Sequence, residues 1–145
     1  MSNPEGAAKW AAAFIQDSWK DVMIGEATEA AMKETLLKYT TASVRWTVDG
    51  ELLAVDKLAK YCAQLRGRMQ SVKVEVHDLI TEKQDGYTKL ANRHICYFLR
   101  TDGSTVSNEC FQIMKIDNDG LITEAVEVAR NFDDSRDGDG ENSQG

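Results

Sequence analysis

Two Asp-Gly pairs in the second half of the chain, Asp102-Gly103 and Asp119-Gly120, each separate two runs of strand-like residues. Asp-Gly between such runs is typical of a two-residue type I′ hairpin turn, which needs positive φ at both central positions. The two turns predict three antiparallel strands over residues 87–100, 105–117 and 121–130. Because strand side chains alternate between faces, the turns also predict which side chains share a face.

Counting back from the turns places Arg93 opposite Gln112 and Gln112 opposite Glu127, so these three polar residues form one row across neighbouring strands. The same face is predicted to carry Ile95, Tyr97, Asn108, Cys110 and Met114. The opposite face is predicted to carry Asn92, His94, Phe98, Phe111, Ile113, Val126 and Val128. A three-residue loop with a glycine bulge at residues 118–120 is also common, and it would shift the last strand and send Glu127 to the other face.

The first half of the chain shows helical spacing of its apolar residues over residues 7–23, 27–39 and 53–69. Residues 43–48 have strand chemistry and are closed by Asp49-Gly50, and valines alternate over residues 72–76. The order helix, helix, strand, helix and four strands predicts an α+β domain, with three helices packed on one side of a curved, mainly antiparallel sheet. A sheet bent in this way forms a cone whose mouth suits a small-molecule pocket.

Length and charge favour one domain of modest acidity. The chain has 145 residues and a net charge of −7, and residues 131–145 carry five acidic residues and one basic residue. We expect residues 1–6 to be a disordered N-terminus, residues 7–130 to be the domain, and residues 131–145 to be a disordered acidic tail. No basic stripe, apolar span or signal peptide is visible, so we expect a cytoplasmic protein without a nucleic-acid or membrane partner.

The remaining motifs predict no metal and no disulfide. Cys62, Cys96 and Cys110 lack metal-type spacing, and the predicted register puts Cys96 and Cys110 on opposite faces, so they are interpreted as reduced core residues. Residues 133–138 match the start of a calcium loop, but the twelfth position is Gln144 and no helices flank it, which favours a solvated tail. His77 and His94 are predicted to lie away from the pocket, on the surface or on a dimer face.

Four stretches resemble a known family, the SnoaL-like and ketosteroid-isomerase-like branch of the nuclear transport factor two-like superfamily. They are residues 44–50, residues 74–80, the Asp102-Gly103 turn, and residues 116–122 leading into Glu127. The resemblance covers about residues 7–130 and implies the cystatin-like α+β cone. It says little about the reaction, because this superfamily includes several kinds of enzyme as well as binding modules.

The resemblance implies particular site residues. Steroid isomerases of the superfamily use a tyrosine, an aspartate base and a carboxylic acid, and the corresponding positions look like Phe14 or Ile15, Trp46 and Gln112. Gln112 could still donate a hydrogen bond to an oxyanion. Epoxide hydrolases of the superfamily use an arginine and carboxylates to activate water, roles that Arg93 and Glu127 match, although the second carboxylate position is Ile95.

We therefore hypothesise a cofactor-independent acid/base enzyme, a cyclase, isomerase, hydratase or hydrolase, with Glu127, Arg93 and Gln112 as catalytic residues. Alternatively, these three residues form a structural polar network that only satisfies the hydrogen-bonding groups of Arg93. Side chains predicted to contact the ligand, a small apolar or polyketide-like molecule, are Trp46, Tyr61, Tyr97, Asn108, Cys110 and Met114. Each aromatic one could instead simply fill the core.

The second hypothesis is a noncatalytic ligand-binding or dimerisation module on the same cone. The convex sheet face is predicted to mediate homodimerisation because its apolar residues would otherwise stay exposed to water. The predicted interface residues are Phe98, Phe111, Ile113, Val126 and Val128.

Overall fold

A computed structural model describes residues 4–131, with side chains from residue 6 onward. Its elements are α1 (Pro4–Met23), α2 (Glu29–Leu36), β1 (Thr40–Val48), β2 (Glu51–Leu53), α3 (Val55–Arg66), β3 (Met69–Lys83), β4 (Tyr87–Arg100), β5 (Thr105–Asp117) and β6 (Ile122–Asn131). Helix α1 begins at Pro4, inside the segment 1–6 that was expected to precede the domain. Residues 1–3 and 132–145, which include the calcium-like stretch, lie outside the described residues.

The six strands form one sheet in the order β2-β1-β6-β5-β4-β3. Only β1 and β6 pair in parallel; all other neighbours are antiparallel. Helix α1 packs against β3, and α3 packs against α2 and β1. The predicted α+β class, with three helices against a curved and mainly antiparallel sheet, is confirmed.

The sequence prediction missed strand β2 and overextended α3. Asp49 and Gly50 have φ of 48° and 90°, so they form the two-residue type I′ turn and return the chain as β2. Strand β2 takes Leu53 from the predicted third helix, and β3 takes Met69 from its other end. Apolar spacing alone does not distinguish a short strand from the first turn of a helix.

The β4–β5 hairpin has a register that differs from the predicted one by one residue. At Asp102-Gly103 only Gly103 has positive φ, and the amide of Arg100 donates to the carbonyl of Ser104, which gives a three-residue loop. Asn92 therefore pairs with Gln112, and Arg93 pairs with Phe111. The predicted row of Arg93, Gln112 and Glu127 is wrong, because Arg93 points to the outer, convex face.

The β5–β6 hairpin has the same kind of loop but the predicted register. The amide of Asp117 donates to the carbonyl of Leu121, as expected for the three-residue alternative. One extra residue, Thr123, then bulges out of β6 between the pairs Lys115–Glu124 and Ile116–Ile122. The bulge restores the pairing, so Gln112 lies opposite Glu127 as predicted.

The changed register reverses the faces predicted for β4. Ile95 and Tyr97 lie on the outer face with Arg93, whereas Asn92, His94 and Phe98 face the helices. Cys96 and Cys110 also face inward together, which corrects their assignment to opposite faces; all three cysteines are free and buried. The exposed outer residues Phe111, Ile113, Val126 and Val128 lie where they were predicted.

Buried Arg66 holds the end of α1 against α3. Its guanidinium donates to the carbonyl oxygens of Asp21 at 2.5 Å and Val22 at 3.0 Å, in the last turn of α1, and to that of Glu26 at 2.9 Å, in the following loop. Gly25 makes this approach possible, because its φ is 149° and a Cβ there would lie 3.0 Å from the Arg66 guanidinium carbon. This clamp fixes the helix that covers the inner face of the sheet.

Candidate active site in the cone

A cavity of about 130 Å³ lies between the helices and the inner face of the sheet. An engineered apolar cavity of roughly 150 Å³ holds one benzene molecule, so this space is the size of a single ring. Trp19, Phe98 and Met114 contribute apolar wall, and Tyr61, Asn108 and Asp49 contribute polar groups. The cavity therefore suits a small and mostly apolar molecule.

Two carboxylates line this cavity, Asp49 and Glu127; Asp49 is exposed, whereas Glu127 is buried, at 8% exposed. Its Oε1 accepts one hydrogen bond from Trp46 Nε1 at 3.0 Å and one from Gln112 Nε2 at 3.0 Å. Both donors are neutral. Among the described residues, no donor is hydrogen-bonded to Oε2, so one oxygen orients the carboxylate and the other is available to a ligand.

Gln112 is hydrogen-bonded, on the side away from Glu127, to a chain of buried polar side chains formed by Asn92 and His94. Asn92 Nδ2 donates to Gln112 Oε1 at 3.2 Å, and Asn92 Oδ1 lies 2.7 Å from His94 Nδ1. Asn92, His94 and Gln112 are all at most 6% exposed. Since Glu127 as a carboxylate only accepts hydrogen bonds, each amide is held in one orientation along this line.

Tyr61 of α3 stands at the mouth of the cavity and is 49% exposed. Burial of part of its ring raises its pKa, and the neighbouring groups Cys62 and Glu127 raise it further. A phenol with a raised pKa keeps its proton at neutral pH. Tyr61 can therefore donate a hydrogen bond to a ligand that Glu127 contacts.

The predicted site residues lie partly around the cavity and partly on the outer face of the sheet. Six of them line the cavity together with Glu127: Trp46, Tyr61, Asn108, Cys110, Gln112 and Met114. Their roles toward a ligand stay predictions. Arg93 and Tyr97 lie on the outer face and do not line the cavity.

On the outer face, Arg93 is part of an ion-pair cluster around Glu109. Glu109 Oε2 lies 2.6 Å from Arg93 Nε, and its Oε1 lies 2.6 Å from Arg130 Nε. Arg93 also approaches Asp78 at 3.4 Å. The hydrogen bond from Arg130 lowers the pKa of Glu109, burial opposes that change, and the hydrogen bond from Arg93 lowers the pKa again.

Sequence reasoning missed the inward-facing residues Asn92, His94, Cys96 and Phe98. The alternation of charged residues along β4 could have identified them. Lys89 and Arg93 lie on one face of this strand, and charged side chains usually lie on the solvent-exposed face of a sheet. Leu90 and Phe98 share the other face, as expected for a core face. The prediction did not use this pattern, because it took the faces of β4 from a two-residue turn at Asp102-Gly103.

Residues 4–131 contain neither a membrane-spanning helix nor a metal-binding cluster. In this part of the chain no helix is long and apolar enough to cross a membrane. Over the same residues, no group of three His, Cys, Asp or Glu side chains could hold a metal ion. The expected lack of a metal and cofactor, the domain limits and the cytoplasmic location stay predictions.

Comparison with solved structures shows the same architecture in proteins of low sequence identity. An NTF2-like protein of unknown function from Exiguobacterium sp. 255-15 is 15% identical, with a TM-score of 0.56 over 80% of this chain and 98% of that one. A putative isomerase of the SnoaL-like family from Agrobacterium tumefaciens str. C58 is 11% identical, with a TM-score of 0.51 over 85% and 97%. A hexachlorocyclohexane dehydrochlorinase of type 2 is 14% identical, with a TM-score of 0.55 over 89% and 94%.

No protein-family profile matches the sequence, and no curated protein matches it. At identities of 11–15% the structural likeness shows the fold, which is the NTF2-like cone. Proteins of one fold carry out unrelated reactions, so an activity has to be argued from the side chains in the cavity.

Proposed function

We propose that this NTF2-like cone is a small-molecule enzyme of the SnoaL-like kind, in which Glu127 is the general base. The observation that carries the proposal is the unequal treatment of the two carboxylate oxygens: Trp46 and Gln112 hold Oε1, and Oε2 has no partner among residues 4–131. A base must be oriented and must also keep a lone pair directed at the proton it removes.

The surroundings of Glu127 support a base rather than a structural anion. Its donors are an indole and an amide, so no cation among the described residues neutralises it. Tyr61 can donate to an oxygen on which negative charge develops. We infer a proton abstraction from carbon or from water, as in an isomerase, cyclase, hydratase or hydrolase, without metal or organic cofactor.

The volume of the cavity limits the size of substrate that it can enclose. About 130 Å³ suits one ring or a short chain, and any larger polyketide-like molecule would have to extend through the mouth past Tyr61. Three structural neighbours, which are named as a putative isomerase of the SnoaL-like family, a dehydrochlorinase and a putative hydroxylase, are consistent with catalysis in such a cone. None of them determines the reaction of this chain.

The test is turnover of a panel of epoxides, enones and small cyclic ketones by the wild type and by Glu127→Gln. The substitution keeps the shape of the side chain and removes the base, so turnover should fall about 10²–10⁴-fold. Ligand binding should change much less. Equal turnover by both proteins would exclude Glu127 as the base, and binding without turnover of any compound would favour the noncatalytic module.

We also propose that the outer sheet face mediates homodimerisation. Large apolar side chains there are 45–70% exposed: Ile80, Phe111, Ile113, Val126 and Val128. They border a groove of about 370 Å³. Contiguous apolar surface of this kind is uncommon on monomers, and a twofold interface would cover it with its own copy. Phe98, predicted for this face, is instead buried in the cavity wall.

The dimer is tested by sedimentation of Val128→Asp, with Leu37→Asp as a control outside the proposed interface. Both side chains are partly exposed, but Leu37 lies at the end of α2, on the helix side of the sheet. Val128→Asp should sediment as a monomer and Leu37→Asp as a dimer. A wild type that sediments as a monomer, or an unchanged Val128→Asp, would contradict this interface.

A further inference from the structure

The charged side chains that line the cavity are all acidic. Asp49 and Glu127 contribute carboxylates, and none of the described lysine, arginine or histidine side chains lines the cavity. Buried Arg66 of α3 is not part of the wall, and its guanidinium is hydrogen-bonded to backbone carbonyl oxygens of α1 and the following loop. Fixed charges of one sign in a poorly solvated cleft reinforce one another, so the cavity has a negative electrostatic potential.

The two carboxylates are fixed next to each other at the mouth of the cavity. Val48 of β1 pairs with Glu127 of β6, and the amide of Asp49 donates to the carbonyl oxygen of Glu127 at 2.9 Å. The amide of Ala129 donates to Asp49 Oδ1 at 3.1 Å. Among the described residues, neither Asp49 Oδ2 nor Glu127 Oε2 has a hydrogen-bond or ion-pair partner. Each carboxylate therefore keeps one oxygen available to a ligand.

A buried hydroxyl group of the same cavity also lacks a partner. Thr40, at the start of β1, lines the cavity and is 2% exposed, and its Oγ1 has no hydrogen-bond partner among the described residues. A buried polar group without a partner costs free energy, which a ligand within hydrogen-bonding reach would recover. Thr40 pairs with Ile122, five residues before Glu127 on β6, so the hydroxyl group and the carboxylates lie at different levels of the cavity.

Aromatic side chains lie beside the carboxylates. Trp46 lines the cavity, and its Nε1 donates to Glu127 Oε1 at 3.0 Å. Burial and the neighbouring Cys62 raise the pKa of Tyr61 most, and Glu127 and Asp49 raise it further, so the charge of both carboxylates acts on this phenol. Aromatic ring faces attract cations. The mouth therefore combines two features that favour a positively charged group, carboxylates and aromatic rings.

We propose that the substrate is a small organic amine, which binds as an ammonium cation with its charge at Asp49 and Glu127 and its apolar body toward Thr40. The inference rests on the proposed function in taking this cavity as the substrate site, but it does not need Glu127 to be a base. A cation offsets the cost of burying Glu127, which no described cation does. When the ammonium group pairs with Asp49 Oδ2, Glu127 Oε2 stays available to accept a proton from a neighbouring atom of the substrate.

The experiment compares three probes that share one ring and differ in charge: benzylamine, which is protonated at pH 7, neutral benzyl alcohol and anionic benzoate. Isothermal titration calorimetry at pH 7 and low salt measures their dissociation constants for the full chain. Benzylamine should bind at least about tenfold more tightly than benzyl alcohol, and benzoate at least about tenfold more weakly than the alcohol. Roughly 0.5 M salt should reduce the preference for benzylamine, because ions screen the exposed carboxylate of Asp49.

Two isosteric variants locate the charge that the amine recognises. Glu127→Gln should lower the affinity for benzylamine about tenfold, and Asp49→Asn about threefold, since an exposed charge is screened more strongly. Neither should change the affinity for benzyl alcohol by more than about twofold, because the alcohol carries no charge. Asparagine tolerates the positive φ of Asp49 and can still accept from the Ala129 amide, so the turn is kept.

Glu124→Gln is the matched control, because it removes one negative charge from the same strand outside the cavity. Glu124 pairs with Lys115 at 3.3 Å and does not line the cavity wall. This variant should bind benzylamine as the wild type does. Equal losses in Glu124→Gln and Glu127→Gln would show a general effect of net charge and would overturn the inference.

Three results for the wild type alone would also overturn it: equal affinity for benzylamine and benzyl alcohol, tightest binding of benzoate, or no binding of any probe. The outcome is separate from that of the proposed base. Equal turnover by the wild type and Glu127→Gln, with the preference for benzylamine present, would remove only the base. Turnover that depends on Glu127 without a preference for benzylamine would remove only this inference.

Discussion

Glu109 and Glu127 lie on neighbouring strands of one sheet, are almost equally buried, and have opposite surroundings. Glu109 faces outward, and each of its oxygens lies 2.6 Å from an arginine nitrogen. Glu127 faces inward, and one of its oxygens accepts hydrogen bonds from the neutral groups of Trp46 and Gln112. The two carboxylates therefore have the same chemistry but different partners.

These different partners determine which of the two carboxylates can react. Two guanidinium groups neutralise Glu109 and occupy both of its oxygens, so a proton on Glu109 would break ion pairs. The neutral donors of Glu127 fix its orientation without cancelling its charge, and Oε2 remains available. A carboxylate held in this way is suited to accept a proton from a ligand.

The largest effect short of removing Glu127 is expected from Gln112→Leu. Leucine has a similar volume but leaves Glu127 with one donor and Asn92 without its acceptor. Turnover should fall about 10- to 100-fold, because small misplacements of a reacting group are costly in rate. The measurement is turnover of the compound on which the wild type is most active, with circular dichroism to establish that the fold is retained.

Met114→Leu is the matched control for Gln112→Leu, since it changes the next inward residue of β5 without touching the polar line. It should affect turnover by less than about threefold if only volume-conserving repacking occurs. Equal losses in the two variants would mean that cavity shape, and not the orientation of Glu127, sets the rate.

A smaller effect, on stability, is expected from Glu109→Gln. The substitution leaves two arginines without their shared anion, but Arg130 is 66% exposed and can be hydrated, so we expect a loss of about 1–2 kcal/mol in the free energy of unfolding. Chemical denaturation at pH 7 measures it. Arg130→Gln, which removes the more exposed partner, should cost only about 0.5 kcal/mol.

The stability contributed by Glu109 has a predictable dependence on pH. Its pKa in the folded protein lies below that of an unfolded glutamate, about 4.3, so the contribution is complete above that pH and is lost as pH falls through the folded pKa. The difference in unfolding free energy between the wild type and Glu109→Gln should therefore shrink below about pH 4. A difference that stays constant down to pH 2 would contradict the ion-pair account.

The two hairpins show how much of this could be read from the sequence. Every helix and strand except β2, the fold class, four exposed residues of the outer face and the pairing of Gln112 with Glu127 were predicted from apolar spacing and Asp-Gly turns. The pairing of Gln112 with Glu127 is correct because two deviations from the prediction cancel. The three-residue loop at residues 118–120 shifts the register by one residue, and the bulge at Thr123 shifts it back. At Asp102-Gly103 the loop is not followed by a bulge, so the faces of Arg93 and His94 are exchanged.

The sequence could not decide between these loops because Asp-Gly is compatible with both. A type I′ turn needs positive φ at both residues, and the three-residue loop needs it only at glycine. Asp49 is the one aspartate of the described residues with positive φ, at 48°. The packing of the whole strand determines which loop forms. The register of β4 that buries Phe98 and Leu90 against the helices is favoured over the local preference of the turn.

The most direct test of the central claim compares Glu127→Gln and Glu109→Gln in turnover and in unfolding free energy. Glu127→Gln should lose about 10²–10⁴-fold in turnover with little loss of stability, because glutamine can still accept from Trp46 and Gln112. Glu109→Gln should lose stability and keep turnover within about twofold of the wild type, far below the effect of removing a base. Turnover that falls equally in both variants, or falls only in Glu109→Gln, would contradict the account.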